Sequence, residues 1–95
     1  MKYLAIAEWC PEDTDKVFDR AKVSFAEREK GTDKYPEFVF PSHVLMGKNK
    51  TVQVYEGSAE QLSNVVNHWV GLVKWKFIPI LETPKHMELY EKRAK

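Results

Sequence analysis

Residues 74–82 read K-W-K-F-I-P-I-L-E, and this stretch decides the fold of the chain. In a strand, Ile78 and Ile80 point to one side while Phe77 and Leu81 point to the other, because successive side chains alternate across a sheet. Both sides of this strand are therefore apolar. Other elements must therefore pack against both faces of this strand to keep its apolar side chains from water.

The composition is that of one small globular domain, which we assign to residues 1–95. The chain has 43% apolar and 31% charged residues, a balance typical of a folded protein with one modest core. Its 15 Lys and Arg residues nearly equal its 14 Asp and Glu residues. Because a balanced chain creates no strong field, we predict no nucleic-acid partner and no membrane partner.

The N-terminal stretch M-K-Y-L-A-I-A-E-W is apolar but meets Pro11 and its acidic neighbours early. It is too short for a signal-peptide core or a membrane span. Cys10 is the only cysteine, so no intramolecular disulfide can form. Both features predict a cytoplasmic protein.

Hydrophobic periodicity predicts four strands, at residues 3–9, 38–46, 51–56 and 75–83. The sequence G-K-N-K at 47–50 predicts a hairpin turn between the second and third strands. Residues 31–37 (G-T-D-K-Y-P-E) are predicted to be a polar connection.

Three helices are predicted between and after the strands. The first runs from Pro11 to near Gly31, with the apolar stripe Thr14, Val17, Phe18, Ala21 and Phe25. The second opens at Ser58 with Gln61 at capping-box spacing, and its stripe is Leu62, Val65, Val66, Trp69, Val70 and Val73. Thr83-Pro84 opens a short C-terminal helix with a weaker stripe.

The order β-α-β-β-α-β plus a terminal helix predicts an α+β, ferredoxin-like fold with one antiparallel four-stranded sheet. In this topology the first and third strands are central. Pro41 and Pro79 then fall in the two edge strands, where a missing backbone donor is tolerated.

Two helices cover only one face of a sheet, and an uncovered face normally alternates to polar residues. Here both sides of most strands are apolar, and only the third strand has a polar side, at Thr51 and Gln53. Large exposed apolar patches usually mark an interface. We therefore predict a homodimer whose two sheets meet face to face around a two-fold axis.

The run from Trp69 to Leu81 resembles a prokaryotic family of unassigned activity. Its pattern is Trp, two residues, Leu, two residues, an aromatic, one residue, an apolar residue, one residue, then Pro and aliphatics. The first strand followed by Pro11-Glu12, and the strand pair joined at Gly47, are similar too. The resemblance implies membership of the dimeric α/β-barrel superfamily, which includes cofactor-independent monooxygenases, haem-degrading enzymes and isomerase-like enzymes. It supplies no catalytic residue.

Three residues are candidates for catalysis. His43 lies in an otherwise apolar strand and is a candidate general base; a histidine at a dimer edge bonded to backbone or water is the alternative. Glu8 alternates with Leu4 and Ile6 and is a candidate acid or base, unless it reaches solvent at the strand end. Tyr55 is the candidate assisting group.

Aromatic residues are the candidates for ligand binding. They are Tyr3, Trp9, Trp69 and its neighbour His68, together with Tyr55 and Trp75 in the wider aromatic set. Such side chains line apolar pockets that make a few directional bonds, and they also fill ordinary cores. His68 falls at the flank of the helix stripe, which weakens a role as a haem ligand. Cys10 before a helix start is read as a small apolar residue.

No metal or organic cofactor is predicted, because the histidines lack ligand spacing and the glycines are scattered. The third strand, T-V-Q-V-Y, lacks the signature of an RNA-recognition motif. Our leading hypothesis is a homodimeric module that binds a small apolar or aromatic ligand or acts in regulation, with a modest cavity between sheet and helices. The alternative is a cofactor-independent, monooxygenase-like or isomerase-like enzyme for a small aromatic or carbonyl substrate.

Overall fold

Four stretches of alternating apolar side chains form one antiparallel sheet. The computed structural model, which describes residues 1–94, places them at β1 (Lys2–Trp9), β2 (Glu37–Val44), β3 (Lys50–Glu56) and β4 (Val73–Ile80). The helices are α1 (Thr14–Glu29, after a short 3₁₀ turn at Pro11–Asp13), α2 (Ala59–His68) and α3 (Thr83–Ala94). The strand order is β2-β3-β1-β4. The predicted ferredoxin-like α+β fold is confirmed.

The two edge strands are the two that contain proline within the sheet. Pro41 lies in β2 and Pro79 lies in β4, as predicted. In β2 the pairing with β3 also shifts register twice, between Phe38 and Phe40 and between Phe40 and His43. An extra residue at each shift bends the strand and interrupts its ladder.

Two glycines end elements earlier than the sequence predicted. Gly71 has φ +83°, and α2 ends at His68, so that Val73 begins β4 instead of closing the helix. Gly47 has φ +80° in a turn where the Lys48 N–H donates to the Leu45 carbonyl oxygen over 3.0 Å, and β2 therefore ends at Val44. Glycine adopts this left-handed conformation at no steric cost.

The start of α2 follows the predicted capping box. The Gln61 N–H donates to Ser58 Oγ over 3.2 Å, and the Ser58 N–H donates to Gln61 Oε1 over 2.9 Å. Two of the helix's unpaired amide groups are satisfied in this way. The buried stripe of α2 is Leu62 and Val65.

The main core lies between α2 and the sheet. Its buried members are Ala5, Tyr35, Tyr55, Leu62 and Val65. Tyr35 and Pro36 belong to the connection that the sequence predicted to be polar, and both are buried. Side chains of α2 hold this connection in place: Gln61 Nε2 donates to the Asp33 carbonyl oxygen and Asn64 Nδ2 donates to that of Lys34.

The sheet has a helix-covered face and a second face that we call the open face. Residues paired across strands share a face, so the register places these apolar residues and one histidine on the open face: Leu4, Ile6, Phe40, His43, Val52, Val54, Ile78 and Ile80. They are half-buried or exposed, whereas Ala5, Ala7 and Trp9 on the covered face are buried.

Candidate ligand-binding cavity

A cavity of about 330 Å³ lies between α1 and the covered face of the sheet, and we call it the α1 cavity. All four strands and α1 contribute to its wall. Ala21 and Ser24 of α1 and Ala7 of β1 line it with short side chains. Short side chains on facing elements leave the gap that larger residues would fill.

Aromatic rings make up much of the remaining wall. The rings are Trp9, Phe18, Phe25, Phe38, Tyr55, Trp69 and Trp75. Phe18 and Phe25 lie on the predicted stripe of α1, yet 44% and 46% of their surfaces are exposed. They border the cavity instead of filling the core.

Gln53 is the most buried polar side chain of the cavity wall, with 1% of its surface exposed. Its Nε2 donates to the Ala5 carbonyl oxygen over 2.8 Å, and its Oε1 accepts from Thr51 Oγ1 over 3.1 Å. An uncovered sheet face is normally polar, so the polar side of β3, at Thr51 and Gln53, was expected on the face without helices. The structure places this side under α1, where the hydrogen bonds make burial tolerable.

Arg28, near the end of α1, brings a positive charge to the cavity wall. Its Nη1 donates to the Pro36 carbonyl oxygen over 2.6 Å, and its Cζ lies 4.2 Å from the centroid of the Phe38 ring. The Tyr35 and Tyr55 ring centroids each lie 5.4 Å from the same atom. Burial lowers the pKa of the guanidinium, and the neighbouring tyrosines oppose this shift.

Tyr55 and Trp75 are neighbours in the wall, with ring centroids 6.2 Å apart. Burial raises the pKa of the Tyr55 hydroxyl to about 12, and the Arg28 charge opposes the shift. The hydroxyl is therefore neutral near pH 7. The Trp75 indole N–H is buried and has no hydrogen-bond partner within residues 1–94.

The three predicted catalytic residues are not brought together. Tyr55 lies on the covered face, while Glu8 and His43 lie on the open face, paired with Lys50 and Val52. Both are exposed.

Local contacts account for both open-face residues without catalysis. His43 stacks on Phe40 with ring centroids 4.5 Å apart, and its Nδ1 lies 2.7 Å from the Pro41 carbonyl oxygen. Glu8 lies between Lys50 and Lys74 of the neighbouring strands.

The predicted ligand-binding residues divide between two regions. Trp9 and Trp69 line the α1 cavity. Tyr3 packs against the main core instead. His68 lies beside Tyr35, with Nδ1 3.4 Å from the tyrosine hydroxyl, and its buried Nε2 has no partner in the described part of the chain.

Arg28 and Gln53 are polar residues of the cavity wall that the sequence did not predict as site residues. For Gln53 the burial depends on the Ala5 carbonyl oxygen, and for Arg28 a local signal exists. In the sequence, Arg28 follows Ala21 by seven residues and Phe25 by three, a spacing that places it on the same helical stripe as these two residues. A charged residue at the end of a stripe is ordinarily assigned to solvent, and only the packing under Phe38 and Tyr55 reveals its role.

No cluster of three or more His, Cys, Asp or Glu side chains in residues 1–94 is arranged to hold a metal ion. None of the helices described is both long enough and apolar enough to span a membrane. Comparison with protein families, curated proteins and solved structures finds no match to this chain.

Proposed function

We propose that this protein is a small-molecule-binding module that acts as a homodimer, with the α1 cavity as its ligand site. The cavity itself is the observation that carries the proposal. Its volume of about 330 Å³ lies within the range of ligand pockets, which combine apolar and aromatic walls with a few polar groups.

Binding is better supported than catalysis. An enzyme of the cofactor-independent kind needs an acid or base within reach of the substrate. His43 and Glu8 lie on the face opposite Tyr55, and in the cavity the Gln53 amide is already hydrogen-bonded. The arrangement can position a molecule, but it brings no proton-transfer pair together.

The accessible surface of the whole chain supports its burial against a second copy. A folded monomer of 11.1 kDa is expected to expose about 5,700 Å². This chain exposes 6986 Å², an excess of about 1,300 Å². A standard interface buries about 800 Å² on each partner, so the excess is large enough for a stable dimer.

The distribution of charge on the open face also fits an interface. Phe40, Val54, Leu4 and Ile78 form one continuous row across the sheet. At one end of the strands the row Lys50, Glu8 and Lys74 alternates in sign. An apolar centre with a charged rim is the usual anatomy of an interface, and a two-fold axis buries both centres at once.

The C-terminal helix α3 supports the same partner. All its side chains from Thr83 to Arg93 are exposed, including Met87 and Tyr90. The radius of gyration is 15.5 Å, against about 12 Å for a compact chain of this length. A helix of 12 residues is marginal in water without packing, so we propose that α3 packs on the second copy. The proposal includes membership of the dimeric α/β-barrel superfamily, which the sequence from Trp69 to Leu81 resembles.

The ligand site is tested by filling the cavity. Amide and indole NMR spectra of ¹⁵N-labelled protein are recorded during titration with cinnamate and with its neutral analogue cinnamamide. Ala21→Phe, which places a ring in the cavity, is expected to abolish the binding of both probes, because the space they need is lost.

Val23→Phe is the matched control, because Val23 lies on the exposed side of the same helix. It is expected to bind the probes as the wild type does. The proposal fails if neither probe shifts the resonances of cavity residues, or if Ala21→Phe binds them unchanged.

A further inference from the structure

The α1 cavity has an uneven distribution of charge. Arg28 and Lys22 contribute positive charges to its wall, and no Asp or Glu lines it within the described residues. A cavity of this sign attracts an anion and disfavours a cation.

Arg28 has no anionic partner within residues 1–94. None of the ion pairs found within residues 1–94 includes it. Its hydrogen bond to the Pro36 carbonyl oxygen uses one of the five N–H donors of a guanidinium. A half-buried cation without an anion is costly, and the lowered pKa of Arg28 reflects that cost.

The geometry of the guanidinium favours a carboxylate. Its planar pair of donors matches the two oxygens of a carboxylate, whereas an ammonium group would act as a point charge. The Trp75 side chain lines the same wall, and its indole N–H is buried without a hydrogen-bond partner in residues 1–94.

The rings of the wall favour a flat apolar body. Phe38, Tyr55, Trp69 and Trp75 present π faces and edges, which pack well against an aromatic or conjugated molecule. A volume of about 330 Å³ accommodates one such molecule, not a polymer.

We propose that the α1 cavity takes a small aromatic or conjugated monocarboxylate, whose carboxylate is bound by Arg28. This inference rests on the proposed function, because it assigns a ligand class to the same cavity. Lys22 is exposed at the rim and contributes only to attraction at a distance.

Cinnamate and cinnamamide have the same shape and differ in charge, so the ratio of their Kd values isolates the role of the carboxylate. Wild-type protein is expected to bind cinnamate about tenfold more tightly or better. The Trp75 indole N–H resonance is expected to move during the same titration, which needs no variant.

Arg28→Gln is expected to remove the preference for cinnamate while cinnamamide still binds. Lys16→Gln is the matched control, because Lys16 is exposed on the same helix and is not among the described residues that line the cavity. Its preference is expected to stay within about twofold of the wild type, because exposed charges contribute little.

Equal Kd values for the two probes in wild-type protein would overturn the monocarboxylate assignment and leave the cavity as a ligand site. A preference that survives in Arg28→Gln would overturn the role of Arg28. Absence of binding by both probes would instead contradict the proposed function itself, so the two failures are distinguishable.

Discussion

Tyr55 keeps its proton to a higher pH in the folded chain than in the unfolded one. Burial raises its pKa from 10.0 to about 12. Below pH 10 both states hold the proton, and stability is unaffected. As the pH rises from 10 to 12, the unfolded state releases the proton before the folded state does, and the free energy of unfolding is expected to fall by about 2 kcal/mol.

Urea unfolding at several pH values between 9 and 12 measures this fall. Tyr55→Phe is expected to make it distinctly shallower, with a remainder from Tyr35, whose pKa burial also raises. Tyr90→Phe is the control, because Tyr90 lies on the exposed helix α3. An identical pH dependence in wild type and Tyr55→Phe would contradict the assignment.

Residue by residue, the sequence predicted the aromatic part of the candidate site better than its polar part. Trp9, Trp69 and Tyr55 were selected as amphipathic rings, and they line the α1 cavity. The burial of Arg28 and Gln53 was not predicted, because it depends on hydrogen bonds to the carbonyl oxygens of Pro36 and Ala5, which belong to other elements. No local pattern contains that information.

At the scale of elements, the turn between α2 and β4 depends on Gly71. Its φ is +83°, and an added Cβ would meet no atom within 4 Å. Any cost of Gly71→Ala therefore comes from the backbone conformation alone. We expect Gly71→Ala to lower the free energy of unfolding by about 1 to 2 kcal/mol.

Gly71→Asn is the matched variant, because asparagine adopts the left-handed conformation more readily than alanine. It is expected to cost less, as measured by the midpoint of urea unfolding. If alanine proved as stable as glycine at this position, the conformational explanation for the end of α2 would be wrong.

Elements were predictable where local periodicity decided them. The strand order followed from the β-α-β-β-α-β order of the elements, and the prolines at positions 41 and 79 agree with the two edge strands. The C-terminal ends of α2 and β2 were not predictable in this way. Gly71 and Gly47 end them through positive φ angles, which a pattern of apolar residues does not encode. Which face α1 and α2 cover was also undetermined, since both sides of most strands are apolar.

At the scale of the whole molecule, the central expectation is a dimer through the open face. Sedimentation equilibrium at micromolar concentration is expected to give about twice the 11.1 kDa of one chain. Leu4→Asp puts a charge between Val54 and Ile78 on the open face and is expected to weaken dimerisation by about tenfold or more, because a buried unpaired carboxylate is costly.

Val23→Asp is the control, because it adds the same charge to the exposed side of α1. Circular dichroism confirms that both variants fold. A wild-type mass of one chain at these concentrations would rule out the dimer, and a Leu4→Asp variant that dimerised normally would rule out the open face.

The edges of the sheet determine how far such association can proceed. On β2, Pro41 and two register shifts interrupt the row of backbone donors and acceptors; on β4, Pro79 removes a donor and Lys74 and Lys76 add charge. Exposed strand edges are templates for fibrils, and these features are the means by which proteins prevent lateral growth. We therefore expect association to stop after one face-to-face pairing, and we expect concentrated solutions of the protein to remain free of amyloid.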